Sequence, residues 1–261
     1  MKKALLIGIN YKGTTSELSG CINDVNNMRQ YLINQYKVLP QNIKVLTDEA
    51  PIDQKPTYDI ILKNFDWLIT GVKSGDSLFL HYSGHGSYLK DRSKDEEDGR
   101  DECICPLDYD KKGFIIDDII NSRLLQKIPE NVNMTSIFDC CHSGTIMDLK
   151  YGLDASKKYA ITENKRINNN IKANVLMLGG CLDSQTSADT MEINSITKKQ
   201  QNQGALTWGF FEIMKKYNNT VEINKFIQEL NLLLKNKKYT QIPQLSFSKK
   251  PILSNNFKLL R

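Results

Sequence analysis

The strongest pattern along the chain is a series of short apolar runs separated by longer polar and amphipathic stretches. Each run has five to seven residues and is rich in Val, Ile and Leu. Runs of this length and composition are typical of strands that are buried on both faces of a sheet. The runs are ALLIGI (4–9), IKVLT (43–47), SLFLHY (77–82), TSIFDC (135–140) and NVLMLGG (174–180).

Segments with helical periodicity lie between these runs and after the last of them. Residues 21–36, for example, place Val25, Met28 and Leu32 three or four positions apart, which puts them on one face of a helix. Strands that alternate with helices favour parallel pairing. The sequence therefore predicts an α/β fold with a mostly parallel central sheet flanked by helices. The predicted helices are 21–36, 59–70, 117–128, 208–217 and 221–235.

Three polar segments interrupt this pattern. Residues 91–102 hold seven acidic and three basic side chains, so we expect a solvated loop there. Residues 150–172 and 189–204 are rich in Lys, Asn and Gln, and we expect both to be mobile.

Three of the predicted strands end in polar motifs that contain glycine. SGHG (83–86) follows the run 77–82, CHSG follows the run 135–140, and GCLDSQTS begins at the last residue of the run 174–180. In open α/β sheets, ligands bind beyond the carboxyl ends of the strands. We therefore expect the three motifs to meet at one edge of the sheet and to form the functional site.

His85 and Cys141 are the candidate catalytic pair within these motifs. A free thiol has a pKa of about 8.5 and needs a nearby base or cation to become a nucleophile at neutral pH. Histidine titrates near working pH and can supply that base. A cysteine with a histidine about 50 residues upstream is a known arrangement in cysteine peptidases. The backbone amides of Cys141 and of a glycine beside His85 are candidate donors to an oxyanion.

Simpler interpretations of the same residues remain open at this point. A histidine at a strand end is commonly structural, and a buried cysteine commonly packs as a small hydrophobic residue. The CCH sequence at 140–142 is also a candidate zinc site together with Cys103 and Cys105. Cys-x-Cys and Cys-Cys spacings fit a tetrahedral zinc site poorly, however. A redox role for the thiols is a further alternative.

Composition argues against several other classes of protein. The 261 residues carry a net charge of +5, with lysines scattered rather than gathered with Arg and aromatic residues, so we expect no nucleic-acid partner. No run approaches 18 apolar residues, and the apolar stretch after Met1 is too short for a signal peptide. We therefore expect no membrane association, a cytoplasmic location and six cysteines that remain thiols.

A set of motifs, in their order along the chain, closely resembles the type I metacaspase family. The resemblance runs from Ala4 to about Ser248 and implies a single caspase-like domain over 1–261, with three layers. Members of the family often carry an N-terminal prodomain, but here the first core strand lies almost at the start of the sequence, so we expect none. It also implies a monomeric, calcium-stimulated cysteine endopeptidase that cleaves proteins after Arg or Lys. The motifs are YSGHG, DGRDECICPLDYD, IIDDII, FDCCHSGTIMDL, GCLDSQTSAD and QGALTWGFFE.

The resemblance also assigns roles to individual residues. It implies that His85 is the catalytic base, that Cys141 is the nucleophile and that Cys140 packs in the interior. A pocket for a cationic side chain needs buried carboxylates, which pair well with guanidinium. The resemblance implies that this pocket consists of Cys21, Asp24, Ser83 and Asp139, with Asp183 at its border.

Four acidic residues are the calcium ligands that the resemblance implies. Ca²⁺ prefers six to eight oxygen ligands, several of them carboxylates. Without the resemblance, the acids at 117–118 are equally typical of a helix N-terminus. The implied ligands are Asp101, Asp117, Asp118 and Asp148.

The alternative to an active peptidase is a catalytically silent regulatory or scaffold module with the same fold. An active enzyme has three basic candidate sites for self-cleavage. They are Lys157-Lys158, Lys165-Arg166 and Lys198-Lys199.

Overall fold

The computed structural model describes residues 1–90, 99–155, 158–167, 170–181, 189–193 and 200–261. Its strands are β1 (Lys2–Gly8), β2 (Ile43–Thr47), β3 (Ser77–Ser83), β4 (Gly86–Lys90), β5 (Arg100–Ile104), β6 (Ile115–Ile116), β7 (Asn133–Asp139), β8 (Tyr151–Asp154), β9 (Ala160–Glu163), β10 (Asn174–Gly179), β11 (Asp189–Ile193), β12 (Gln200–Gly204) and β13 (Gln244–Phe247). Its α-helices are α1 (Cys21–Tyr36), α2 (Tyr58–Ile69), α3 (Tyr109–Lys112), α4 (Asp117–Arg123), α5 (Ala205–Lys216) and α6 (Ile223–Asn236).

Eight of the strands described form one central sheet in the order β2-β1-β3-β7-β10-β13-β8-β9. The first five strands of that order are parallel to one another, whereas β13, β8 and β9 extend the sheet with antiparallel pairs. The five apolar runs of the sequence form the five parallel strands, so the predicted mostly parallel sheet is confirmed. β4, β5 and β6 form a separate small sheet, and β11 pairs with β12.

Helices cover both faces of the central sheet. Along β1, Ala4 and Leu6 belong to a core shared with α1, α5 and α6, whereas Leu5 and Ile7 belong to a core shared with α2 and α4. All four side chains are fully buried. Successive side chains of a strand point to opposite faces, so a strand between two helical layers must be apolar throughout. The predicted three-layer α/β architecture is therefore confirmed.

The polar segments contain more regular structure than their composition suggests. Residues 100–102 were predicted to be solvated, but they belong to β5, and Asp101 and Glu102 are buried there. Residues 91–98 of the same segment lie outside the described residues. The segment 150–172 contains β8 and β9, and 189–204 contains the β11–β12 hairpin. These strands lie at the edge of the central sheet or outside it, so they need not be apolar on both faces.

Helix boundaries differ from the predicted ones in places that matter for the site. The helix predicted at 208–217 begins earlier, at Ala205, directly after β12. The helix predicted at 117–128 ends at Arg123 and is followed by a 3₁₀ turn at Leu125–Lys127. Among the residues described, no helix combines the length and apolar character needed to cross a membrane.

Candidate active site

The ends of β3 and β7 bring the segments that carry His85 and Cys141 together. The two strands are parallel, with Ser83 opposite Asp139, so His85 and Cys141 each lie two residues beyond a paired position. A β-carbon at Gly86 would lie 1.9 Å from the Cys141 carbonyl oxygen. Glycine is therefore required at this position for the His85 segment to approach the Cys141 segment so closely.

The imidazole of His85 is held by the loop that follows β1. Its Nε2 lies 2.7 Å from the carbonyl oxygen of Ser16. A carbonyl only accepts, so Nε2 carries the hydrogen, and in the neutral ring Nδ1 is the basic nitrogen. The Tyr11 ring lies 4.7 Å from the imidazole, centroid to centroid, and the His85 backbone N–H donates to the Tyr11 hydroxyl at 3.1 Å. Tyr11 and Ser16 were not predicted from the sequence, since neither belongs to a motif with recognisable chemistry.

The adjacent thiols of Cys140 and Cys141 have different surroundings. Cys141 is half-buried, whereas the other five cysteines are buried. Desolvation raises the pKa of Cys140 well above its ordinary value. Burial likewise raises the pKa of Cys105 and of Cys181 to about 12. Cys141 is thus the more accessible of the two neighbouring cysteines.

The backbone after Cys141 is fixed in a tight turn. His142 has a φ of 51°, in the left-handed region, and its ring packs edge-on against Tyr88 at 5.0 Å, centroid to centroid. The Ser143 hydroxyl donates to the Cys140 carbonyl at 2.9 Å and accepts from the Gly180 N–H at 2.8 Å. These bonds tie the Cys141 turn to the ends of two neighbouring strands.

Two buried carboxylates converge beside this turn. Asp24, on α1, accepts hydrogen bonds from the Ser83 hydroxyl at 2.7 Å and from the Gly204 N–H at 2.9 Å. Asp139 accepts from the backbone N–H and from the hydroxyl of Thr207, each at 2.8 Å. All of these donors are uncharged.

Gly204 lies close to both acids. A β-carbon built on it would lie 2.1 Å from Oδ2 of Asp139 and 2.9 Å from Oδ2 of Asp24. The structure therefore brings Asp24, Ser83 and Asp139 together, as the resemblance implies. Cys21 is buried at the start of α1, about one turn before Asp24. Asp183 lies outside the described residues.

A second acidic group forms a candidate cation site. Carboxylate oxygens of Asp117, Asp118 and Asp148 lie within 4.8 Å of one another. Asp117 also accepts hydrogen bonds from the backbone N–H groups of Glu102 and Asp118, each at 2.7 Å. Hard carboxylate oxygens at this separation suit Ca²⁺, so the residues present fit the implied ion. Asp101 is buried on β5 but does not belong to this 4.8 Å group.

A hydrogen bond links the acidic group to the turn that carries Cys141. The Thr145 hydroxyl donates to Oε2 of Glu102 at 2.5 Å, and Glu102 is the residue whose N–H bonds Asp117. The Asp148 N–H donates to the Thr145 carbonyl at 2.7 Å. This connection was not predicted from the sequence, because Glu102 lies in a segment whose composition predicted a solvated loop.

Comparison with known proteins finds a matching family model and several similar relatives. A family model described as the metacaspase, peptidase C14 domain matches residues 2–150. Metacaspase-3 of Trypanosoma brucei brucei is 40% identical over 266 residues, covering 98% of this chain and 74% of that protein. Metacaspase-1 of Yarrowia lipolytica is 36% identical over 292 residues, covering 95% and 61%. Metacaspase-1 of Arabidopsis thaliana is 35% identical over 242 residues, covering 90% and 65%.

A solved structure extends the comparison to the fold. The crystal structure of a protein from Geobacter sulfurreducens superposes with a TM-score of 0.66 at 23% identity, and the match covers 97% of each chain. A likeness at this identity supports the fold alone. The family match and the relatives together show that the chain belongs to the metacaspase family of caspase-like cysteine peptidases.

Proposed function

We propose that this protein is a calcium-stimulated endopeptidase that cleaves after Arg or Lys, with His85 and Cys141 as its catalytic dyad. The observation that carries the proposal is the meeting of three features at the ends of β3 and β7. These features are an oriented imidazole, a partly exposed thiol and a pair of buried carboxylates. Protein or peptide chains with a basic residue before the cleaved bond are the substrates that such a site favours.

The orientation of His85 supports a defined route for the proton. Nε2–H is held by the Ser16 carbonyl, so Nδ1 accepts the proton of the Cys141 thiol. The thiolate attacks the carbonyl carbon of the substrate, and the imidazolium then protonates the leaving amine as the acyl-enzyme forms. His85 next removes a proton from water, and hydroxide attack releases the acid and restores the thiol. We expect the backbone amides of Cys141 and Gly86 to stabilise the oxyanion in both steps.

Preference for Arg or Lys follows from charge. Asp24 is fully buried and Asp139 is 5% exposed. A guanidinium or ammonium that enters between them supplies the opposite charge in a region of low dielectric, where ion pairing is stronger than in water. An Asp side chain in the same pocket would be repelled by both carboxylates. The proposed pocket therefore favours basic side chains and disfavours acidic ones.

The proposed calcium site would consist of Asp117, Asp118 and Asp148, with Asp101 of β5 as the fourth ligand that the resemblance implies. Bound Ca²⁺ supplies positive charge that offsets the mutual repulsion of these carboxylates. A fixed Asp117 would also fix the turn that carries Cys141. Glu102 connects the two, because it bonds Asp117 through its backbone N–H and Thr145 through its side chain. We propose that this connection is the physical basis of stimulation by calcium.

Self-processing is part of the proposal. Lys165 and Arg166 are exposed between β9 and β10, and Lys158 is exposed before β9. Lys157 and the pair at 198–199 lie outside the described residues. Purified wild-type protein should convert to fragments that end at Lys158 or at Arg166, whereas Cys141→Ala should remain intact. Mass spectrometry of the two preparations, incubated with calcium, decides this point.

Hydrolysis of short peptides tests the proposed activity. Peptides that differ only in carrying Arg, Lys or Asp before the cleaved bond are incubated with calcium or with a chelator. We expect cleavage after Arg and Lys, faster with calcium, and a loss of at least about 10³-fold in Cys141→Ala. Cys140→Ala is the matched control and should keep most of the activity. Equal rates on all three peptides would refute the specificity, and equal rates with calcium and chelator would refute the stimulation.

A further inference from the structure

Three buried polar side chains form a continuous hydrogen-bonded line that ends at the proposed pocket. Nε2 of His81 lies 3.2 Å from the Thr207 hydroxyl, which lies 2.8 Å from Oδ2 of Asp139. His81 and Thr207 are fully buried, and Asp139 is 5% exposed. None of the roles assigned to the site so far involves His81 or Thr207.

The direction of each hydrogen bond in this line is fixed by chemistry. The carboxylate of Asp139 only accepts, so the single hydroxyl hydrogen of Thr207 points to it. The Thr207 oxygen must then accept from His81, which requires a hydrogen on Nε2. Nδ1 of His81 is left as an acceptor, in agreement with a neutral imidazole. The line therefore runs from His81 to Thr207 to Asp139 without ambiguity.

We propose that Thr207 and His81 are positioning residues of the specificity pocket. Thr207 fixes the orientation of the Asp139 carboxylate with two donors on the same oxygen, and His81 fixes the orientation of the Thr207 hydroxyl. Neither residue contacts the substrate in this proposal. The inference rests on the proposed function, because it concerns how the pocket selects a cationic side chain.

Two polar residues of β3 are connected to the two acids of the proposed pocket. His81 and Ser83 lie two residues apart, so they point to the same face of the sheet. Ser83 donates to Asp24 directly, and His81 reaches Asp139 through Thr207. One strand thus orients both acids of the pocket.

Packing alone does not explain a histidine at this position. Nδ1 of His81 is buried and has no hydrogen-bond partner among the described residues. A buried polar atom without a partner lowers stability, and an apolar side chain would avoid that loss. The hydrogen bond from Nε2 of His81 to the Thr207 hydroxyl therefore accounts for a histidine at this position.

Binding of matched peptides to the Cys141→Ala protein tests the proposal without any need for turnover. One peptide carries Arg and the other carries citrulline, which has nearly the same shape but no charge. We expect the Arg peptide to bind more tightly. Thr207→Val in the same background should weaken Arg binding by about 10-fold or more, because hydrogen bonds to charged groups are the strong ones. It should leave citrulline binding nearly unchanged.

Conservative variants separate positioning from packing. Thr207→Ser keeps the hydroxyl and should restore most of the Arg preference. His81→Phe should reduce it by about 5-fold, whereas His81→Gln, which keeps a donor, should reduce it less. Thr135→Val is the matched control, since Thr135 is a buried threonine of β7 that donates to the Lys258 carbonyl instead. Thermal unfolding shows whether each variant is folded, and the His81 pair still tests the proposal if Thr207→Val does not fold.

The outcomes distinguish this inference from the proposed function. If Cys141→Ala binds the Arg and citrulline peptides equally, the pocket is wrong and the inference fails with it. If that protein prefers Arg and Thr207→Val prefers it to the same degree, only the role of Thr207 is overturned. A loss in Thr207→Val that Thr207→Ser does not restore would likewise overturn it.

Discussion

Cys140 and Cys141 show at the scale of single residues how surroundings decide chemistry. The two thiols are neighbours in the chain, yet one is 1% exposed with a raised pKa and the other is half-buried at the edge of the sheet. The extended backbone of β7 ends at Asp139, and the left-handed φ of His142 turns the chain just after Cys141. The two cysteines therefore lie where the strand gives way to the turn, and their side chains have different environments.

His81 gives a prediction about stability and pH at the same scale. Burial lowers the pKa of His81 from its ordinary 6.5 to about 3. As pH falls below 6.5, the unfolded chain binds a proton at His81 and the folded chain does not, so stability is lost on acidification between pH 6.5 and 3. This single group should remove about 2 kcal/mol from the free energy of unfolding between pH 7 and pH 5.

Urea unfolding at pH 7 and pH 5 measures that change. The wild type should lose about 2 kcal/mol more than His81→Phe does over the same interval, because the variant lacks the titrating group. Comparing the two proteins removes the contribution of the other titrating residues. An equal loss in both proteins would show that His81 is protonated in the folded state.

The junction of β12 and α5 shows at the scale of elements what a sequence can and cannot reveal. The five parallel strands were predictable, since burial on both faces demands continuous apolar runs. β8, β9, β11 and β12 were not, because edge strands and hairpins with polar side chains lack such a signal. The start of α5 was also missed. Its first turn includes Thr207, which donates to Asp139, 68 residues away in the chain, and the local sequence does not reveal such a contact.

The residues of the candidate site likewise divide into those that could be predicted from the sequence and those that could not. His85, Cys141 and the acids at 24 and 139 lie in glycine-containing or acidic motifs and could be proposed from residues and resemblance. Tyr11, the Ser16 carbonyl and Gly204 could not, because their roles are contacts between segments that the fold alone brings together. The role of a backbone carbonyl, in particular, cannot be recognised from the type of amino acid, because every residue has one.

Gly204→Ala tests the junction directly. The added methyl group would lie 2.1 Å from Oδ2 of Asp139, so the carboxylate or the junction must move. We expect about 1–3 kcal/mol of destabilisation and a rise in KM for Arg peptides that exceeds the fall in kcat.

Gly152→Ala on β8 is a suitable control for Gly204→Ala. A β-carbon there would come no closer than 3.3 Å to another residue, and Gly152 lies outside the proposed site. It should leave KM near the wild-type value. A Gly204→Ala enzyme with unchanged KM would mean that the two acids do not bind the substrate.

At the scale of the whole molecule, the proposed calcium site and the catalytic turn lie on one connected framework. α4 and the turn after β7 supply the acidic group, and Glu102 of β5 bonds both Asp117 of that group and Thr145 of the Cys141 turn. A ligand that binds only the folded chain stabilises it by an amount set by its concentration and affinity. Calcium should therefore raise the melting temperature as well as the rate of cleavage.

Thermal unfolding with and without calcium checks this expectation apart from catalysis. At a calcium concentration 100-fold above Kd, the folded state should gain about 2.7 kcal/mol. Asp117→Asn/Asp118→Asn should lose this gain, whereas Asp59→Asn, which removes an exposed acid on α2, should keep it. The same melting temperature in calcium and in chelator for the wild type would contradict the proposed site.

The most direct measurement is covalent labelling by a peptidyl acyloxymethyl ketone that carries Arg at the position before the reactive group. The reagent needs both a pocket for the cation and a thiol within reach of it, so it reports on the meeting of the two. We predict one adduct per chain, mapped by mass spectrometry to Cys141, formed much faster than with the matching Asp reagent and lost in Asp139→Asn. An adduct on a different cysteine, or faster reaction with the Asp reagent, would contradict the account.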